Sequence, residues 1–504
     1  MPSFLMPADM FPNSDPRIVT KLPQAVANCL FALLTHAGNE KDIRQIAASL
    51  AGPGLSLAAS LAKGEGTQLH FSGDVRIAII GIGKIGDPDD FLEEVRDGVQ
   101  SGVTLCNDYR IGSIVVCCPG TRIPGLFRGI SEALCLSNYQ YLTFKTRKKS
   151  NALKSASVFA PANEKNEIEA GRISAQVTCM ARDLVNEPVI TLTAQALSAK
   201  AVALAKEYGF SAEVFDKKKI NTLRMGGLLA VNAGSVLPPT FTILEWKPSR
   251  KVNSRPVVLV GKGVVFDTGG LSLKETSNSM DFMKSDMAGA AAVIGAICGC
   301  AARKLPVHVI GLIPATDNRP GGNAITPGDV ITMYDGTTVE VMNTDAEGRL
   351  ILADALSFAR KYEPELVIDL ATLTGAAVVV AGSRGIVMMG TAESKVKDRL
   401  RKAGLRSRER LIELPLWNEY QEQLKSDIAD LKNVGGRPAG TITAGKFLQY
   451  FTRYPWIHFD IAGTAFLSGS DSYRGKGGTG SGVRLLLEYF ENRSSGAKSS
   501  KKRK

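Results

Sequence analysis

Asn343-Thr344-Asp345-Ala346-Glu347-Gly348-Arg349-Leu350 sets two carboxylates two residues apart, a guanidinium two further on, and then an apolar run. From Leu350 to Lys361 the apolar residues Leu350, Leu352, Ala353, Leu356 and Ala359 fall at helical spacing, so the acids stand in the turn that enters a helix, beside its positive end. A regular helix or strand would not bring Asp345 and Glu347 together, whereas a curved loop with Gly348 free of Cβ constraint aims both at one point. Two readings are open at this stage: a capping loop with solvated acids, which is common before helices, or a cation site.

The chain of 504 residues exceeds what one compact core usually holds, so two domains are expected. Hydrophobic content of 44% with 22% charged residues describes a globular protein with a large core. The eight cysteines lie mostly inside apolar runs without metal-ribbon or disulfide-scaffold spacing, and read as reduced core residues of an intracellular, cytoplasmic protein. The N-terminal stretch MPSFLMPADMF has no basic region and two early prolines, which does not fit a secretory signal. The longest uncharged run, Met287 to Ala302, is shorter than a membrane span needs and reads as a buried helix, so no membrane partner is expected.

A net charge of +12 has a definite location: the tail from Asn492, NRSSGAKSSKKRK, supplies six bases and no acid. More comes from Lys145–Lys149 and from Lys395 to Arg410. The tail, 492–504, reads as disordered, either a solvated segment or a patch for nucleic acid.

Along the chain, residues 18–35 and 41–62 carry helical apolar spacing, Val75 to Gly81 reads as a strand, Phe91 to Val103 as a helix, Ile111 to Cys118 as a strand and Gly125 to Leu134 as a helix. Strands are expected again at Tyr139–Phe144 and Ser155–Ala160. Gly81-Ile-Gly83-Lys-Ile-Gly86 fits a dinucleotide fingerprint, but Asp87, Asp89 and Asp90 put negative charge where a pyrophosphate would sit, which argues against nucleotide binding. A polar stretch around 145–166 marks the domain junction. The expected fold is α/β in two domains: a smaller one over 1–165 and a larger one over 166–491, with a central mixed sheet flanked by helices.

In the second domain four segments end in charged or glycine-rich loops after strands, where open α/β sheets place their sites. They are Gly261 to Gly270 with Lys274 beyond it, Met280 to Gly289, Asn343 to Leu350, and Asp369 to Gly375. Only four dispersed histidines exist, so a histidine-built zinc site is not expected and any metal must be held by oxygen. Asp267, Asp286, Asp345 and Glu347 offer enough charge for two divalent ions, with Zn²⁺, Mn²⁺, Co²⁺ or Mg²⁺ admissible.

VGKGVVFDTGG, MDFMKSDMAGAA, NTDAEGRLILADAL, ATLTGA and DIAGTAF together resemble the leucyl aminopeptidases of the M17 metallopeptidase family, in order and spacing over about Ala181 to Phe490. The resemblance implies a two-metal site in which Asp267 and Glu347 bridge the ions, Asp345 completes one shell, and Lys262 and Asp286 complete the other. It puts the two catalytic side chains at Lys274, which steadies the oxyanion, and Arg349, which holds a bicarbonate that accepts the water's proton. Substrate contacts fall on Met283, Asn343, Thr372, Leu373, Gly375, Ala462 and Ala465, of which Met283, Thr372, Gly375, Ala462 and Ala465 form the pocket for the first side chain, an apolar set suited to leucine-like residues of peptide substrates. It further implies a homohexamer. Three departures from the family pattern stand out: Ala465 is small, one residue is added within Glu275–Ser279, and Asp317 stands where glutamate is usual.

Overall fold

The computed structural model describes residues 14–22, 28–52, 57–72 and 74–501. Two compact units emerge, one running up to Cys179 and including Gly469–Lys476, the other made of Met180–Ser468 and the segment from Gly477 onward. The boundary expected at 165 therefore shifts into the helix Lys165–Asn186, because Ile168, Ala175 and Cys179 on that helix are already buried in the first unit's core.

The first unit is built on a six-stranded sheet in the order Ser14–Val19, Ser155–Phe159, Ser113–Cys117, Cys29–Thr35, Val75–Gly81, Thr67–Ser72. Only the last pair is antiparallel. The helical reading of 18–35 is wrong where it can be checked, since Ser14–Val19 and Cys29–Thr35 are strands; residues 23–27 lie outside the described residues. Leu30, Ala32 and Leu34 enter the core on one face of the sheet and Phe31 and Leu33 the core on the other. A strand buried on both faces shows no alternation, so periodicity alone does not separate it from a buried helix. The strand expected at Tyr139–Phe144 is also absent: the segment is irregular, with Phe144 54% exposed.

The Gly81–Gly86 motif leads into the helix Pro88–Asp108, whose N-terminus is capped by Asp87; the carboxylate accepts from the Asp89 and Asp90 N–H groups. The protein's own acid thus occupies the donors a pyrophosphate would need.

The second unit centres on a mixed sheet in the order Leu411–Glu413, Ile386–Gly390, Trp456–Asp460, Leu366–Ala371, Val257–Gly261, Val309–Asn318, Thr240–Trp246, Ser211–Phe215, with Gly263–Asp267 paired to the end of Val309–Asn318. One face carries Val258, Val260, Val367 and Trp456 against the helix Gly348–Ala359. Helix Ala288–Ala302 is buried from Ala288 to Ala301, as expected of a core helix; the apolar window that could span a membrane by length, within Met280–Ala302, is 94% buried in the protein. All eight cysteines are buried thiols. The last helix, Val483–Lys501, continues through most of the tail expected to be disordered, because the buried run Leu485 to Leu487 with Tyr489 and Phe490 starts a helix that the small and basic residues after it can extend.

Candidate metal centre

Strands Val257–Gly261, Val309–Asn318, Leu366–Ala371 and Trp456–Asp460 are neighbours that run parallel, so their carboxyl ends share one edge of the sheet. Lys262 and Thr372 directly follow two of them, Asn318 ends the third, and Ala462 lies just past the fourth. This is the edge where such sheets gather their chemistry.

Asp267 ends its short strand with Oδ1 accepting from the Gly269 N–H and from Asn318 Nδ2, both at 2.8 Å. Asn318 Nδ2 also donates to Thr344 O at 3.0 Å, which ties the Asp267 strand to the Asp345 loop. Thr344 Oγ1 donates to Gly269 O at 2.6 Å and accepts from the Ser272 N–H at 2.8 Å. Asn343 Oδ1 accepts from the Asp345 N–H at 2.8 Å, and Glu347 stands at the N-cap of the helix Gly348–Ala359. The loop-to-helix turn read from the sequence is present.

Oxygens of Asp267, Asp345 and Glu347 lie within 4.8 Å of one another. Two ammonium groups stand among the carboxylates. Lys262 Nζ is 2.8 Å from both Asp286 Oδ1 and Glu347 Oε1 and donates to Thr372 O at 2.9 Å. Lys274 Nζ is 2.9 Å from Asp267 Oδ2 and pairs with Asp345. Burial works against both ammonium groups, but Asp286, Glu347 and Asp267 around Lys262, and Asp267, Glu347 and Asp345 around Lys274, more than reverse it and hold both above the ordinary lysine range. Burial together with Glu347 and Asp267 pushes Asp286 well up against the pull of Lys262. Burial and Asp267 push Asp345 up to about 7, opposed by Lys274.

These groups fit a divalent cation. Of the four acids Asp267, Asp286 and Glu347 are buried and Asp345 is partly exposed, Asp286 Oδ2 is buried with no hydrogen-bond partner among the described residues, and two lysine side chains supply positive charge beside them. Oxygen-rich donor sets of this kind suit divalent cations. Asp286 sits on the Lys262 side of the cluster, outside the tight group of three acids.

Arg349 is 7% exposed; its Nη1 donates to Asn433 O at 2.7 Å and its Nε is buried without a hydrogen-bond partner among the described residues. Burial lowers it to about 10 against the pull of Glu347, Asp460 and Asp345, so it remains a cation at neutral pH. Of the expected substrate contacts, Thr372 Oγ1 donates to Asp286 Oδ1 at 2.8 Å, and the N–H groups of Leu373 and Ala462 both donate to Asp460 Oδ1 at 3.1 Å. Met283 is half-buried in the turn Met280–Ser285, Gly375 is exposed at the start of a helix, and Ala465 is buried. The added residue lies in an exposed loop closed by the Met280 N–H donating to Glu275 O at 2.9 Å.

Asp460 and Asn433 were not singled out by sequence reasoning. Asp460 gathers Leu373, Ala462 and, at 2.7 Å, Thr374 Oγ1; its one signal was its place at the strand end inside DIAGTAF. Asn433 had none.

The family model described as cytosol aminopeptidase family, catalytic domain, matches residues 179–487. This chain belongs to that family. A probable cytosol aminopeptidase of Chloroherpeton thalassium is 52% identical over 331 residues, covering 65% of this chain and 64% of that protein's length. The alignment to a probable cytosol aminopeptidase of Geobacter sulfurreducens is longer, 43% identical over 436 residues and covering 84% of this chain and 87% of the relative. Among solved structures, the bottromycin maturation enzyme BotP in complex with Mn superposes with a TM-score of 0.82 at 31% identity, covering 93% of this chain and all of that one. The cytosol aminopeptidase match begins at the opening of the second unit and takes in every acid and lysine described above.

Proposed function

We propose that this protein is a metal-dependent aminopeptidase that removes N-terminal residues from peptides, leucine-like ones by preference, using two divalent ions, Zn²⁺ or Mn²⁺, held by Asp267, Asp286, Asp345 and Glu347 and by Lys262 as its neutral amine, whose proton a bound dication would displace. The observation that supports this most is the convergence of Asp267, Asp345 and Glu347 beside two buried lysines, in a chain of the cytosol aminopeptidase family.

A pair of dications bound there supplies an acidified water and a polarised scissile carbonyl. Lys274 contributes a fixed positive charge next to Asp267 and Asp345, where an oxyanion would develop, and gives its strongest contact to the transition state. Arg349 is unsuited to act as a base because it stays protonated; its role is to hold a small anion, bicarbonate, as proton acceptor. Thr372, Leu373 and Ala462, fixed by Asp286 and Asp460, line the approach with Met283, Asn343, Gly375 and Ala465 and favour an apolar first side chain. A requirement for a free terminal amine confines cleavage to chain ends. Homohexamer assembly is part of the same proposal, read by solution mass.

Hydrolysis of leucine amide with added Mn²⁺ tests the reading, comparing the parent with Asp345→Ala and Lys274→Ala. Loss of turnover in both variants is expected. Full activity in either overturns the role given to that residue, and release of phosphate from phosphoesters in place of an amino acid from peptides overturns the reaction class.

A further inference from the structure

The two-residue strand Leu431–Lys432 runs parallel to Thr338–Val341, and its ladder ends with the Asn433 N–H donating to Glu340 O at 2.9 Å. Past that point the partner strand leaves the sheet as Met342 and Asn343, and the Asn433 side chain takes over the pairing. Its Oδ1 accepts from the Met342 N–H at 2.8 Å and the Asn343 N–H at 3.3 Å. Its Nδ2 donates to Asn343 O at 2.7 Å and reaches Ala346 O at 3.5 Å. The Asn433 carbonyl accepts from Arg349 Nη1 at 2.7 Å, and the residue is 0% exposed.

A carboxamide is the side chain that meets both demands at once, an acceptor for two N–H groups and a donor for carbonyls, as a strand's own peptide would be. Buried main-chain groups left without such a partner do not hold their geometry, because each unpaired one costs free energy. The backbone fixed in this way carries Asp345 and leads directly into Glu347 and Arg349, so one residue, 84 positions beyond Arg349, anchors the stretch bearing two acids and a cation of the site.

We propose that Asn433 is a positioning residue of the metal centre: it holds Met342 to Ala346 in the conformation that presents Asp345 and Glu347 to a dication, and its carbonyl orients the Arg349 guanidinium. The inference rests on the aminopeptidase reading for its link to turnover. Asn433 acts through the residues it fixes. Removing an outer partner of metal ligands lowers metal affinity or activity by roughly 10–100-fold.

The test uses the full chain stripped of metal and titrated with Mn²⁺ by calorimetry, for the parent, Asn433→Ala and the milder Asn433→Ser, which decides the matter if the alanine variant does not fold. Asn232→Ala is the comparison: a buried asparagine of the same unit whose amide donates to Leu237 O and Thr316 Oγ1. Asn433→Ala is expected to bind Mn²⁺ at least about 10-fold more weakly, with kcat on leucine amide reduced by a similar factor and KM changed less than about 3-fold, and the serine variant between. Asn232→Ala is expected to lose melting temperature while keeping its Mn²⁺ affinity. Mn²⁺ binding by the asparagine-433 variants within about 2-fold of the parent overturns the proposal, as does an equal loss of affinity in Asn232→Ala, which would trace the effect to general destabilisation. A parent that binds Mn²⁺ but leaves leucine amide intact refutes the aminopeptidase reading instead, and the Mn²⁺ comparison still decides the role of Asn433.

Discussion

Asp354 Oδ2 accepts a hydrogen bond from the main-chain N–H of Leu228 at 2.9 Å, with the acid wholly buried. Its other oxygen accepts from the Tyr334 N–H at 2.9 Å. The helix Gly348–Ala359 thereby caps the short helix Gly226–Asn232, which has no side-chain cap of its own at Met225. Burial pushes the Asp354 carboxyl up to about 7, outweighing the N–H groups of Leu228, Tyr334 and Gly227 that favour its charge. A carboxyl raised in the folded state contributes most below its unfolded pKa of about 3.9, and that contribution is lost as pH rises through the folded value. Asp354→Asn gives up one acceptor oxygen and so melts lower than the parent, but it does not ionise. The gap in melting temperature between the two is expected to narrow from about pH 5 to about pH 8; a gap that widens over that range contradicts a raised carboxyl.

Lys262 is enclosed by acids on two sides with its side chain 3% exposed, so its ammonium neutralises Asp286 and Glu347 where they come close to each other. Lys262→Met preserves most of the volume and removes the charge. Breaking a buried pair from one side costs about 3–5 kcal/mol. Scanning calorimetry in chelator is expected to show a melting temperature lower by several degrees, since 1 kcal/mol shifts a domain of about 150–250 residues by about 2–4 °C and a larger one by less. An unchanged value would mean that the ammonium and its desolvation cancel.

Lys274 is more open than Lys262, with 14% of its side chain exposed, and faces Asp267 and Asp345 from the cleft side. If its charge meets the developing oxyanion, Lys274→Ala lowers kcat by about 10²–10³-fold and leaves KM little changed, as for other donors that act mainly in the transition state. A rise in KM at constant kcat would place the lysine in ground-state binding.

The catalytic unit was legible where local pattern and chemistry agree. Apolar runs such as Val257–Gly261 and Leu366–Ala371 are strands, and the loops that follow them carry Lys262 and Thr372 to one edge. The acids of Asn343 to Leu350 enter a helix as their spacing indicated. Less was legible where burial removes pattern or the partner is remote. Cys29–Thr35 is buried at every position and so lacks the alternation that marks a strand. Asn433 holds its partners across more than eighty residues, a pairing that exists only once Leu431–Lys432 joins Thr338–Val341. Gly348 was picked out correctly, but for the wrong cause: its backbone is helical, and what it supplies is room.

That room gives the sharpest contest between two effects of known size. Gly348 opens the helix Gly348–Ala359, and alanine in a helix is favoured over glycine by up to about 1 kcal/mol. A Cβ on Gly348, however, would lie 2.6 Å from Lys262 Cε and Nζ. Lys262 has nowhere to retreat, since Asp286, Glu347 and Thr372 O hold its ammonium and it is 3% exposed. Overpacking of this kind costs about 1–3 kcal/mol, before any loss from disturbing the charged pairs, so the collision outweighs the propensity. Gly375 offers the matched comparison: it too opens a helix, and a Cβ there meets nothing within 4 Å. Melting curves are expected to show Gly348→Ala destabilised and Gly375→Ala unchanged or slightly stabilised. Should both variants gain stability alike, Lys262 is not confined by its neighbours, and the packing that sets it between Asp286 and Glu347 is looser than these distances imply.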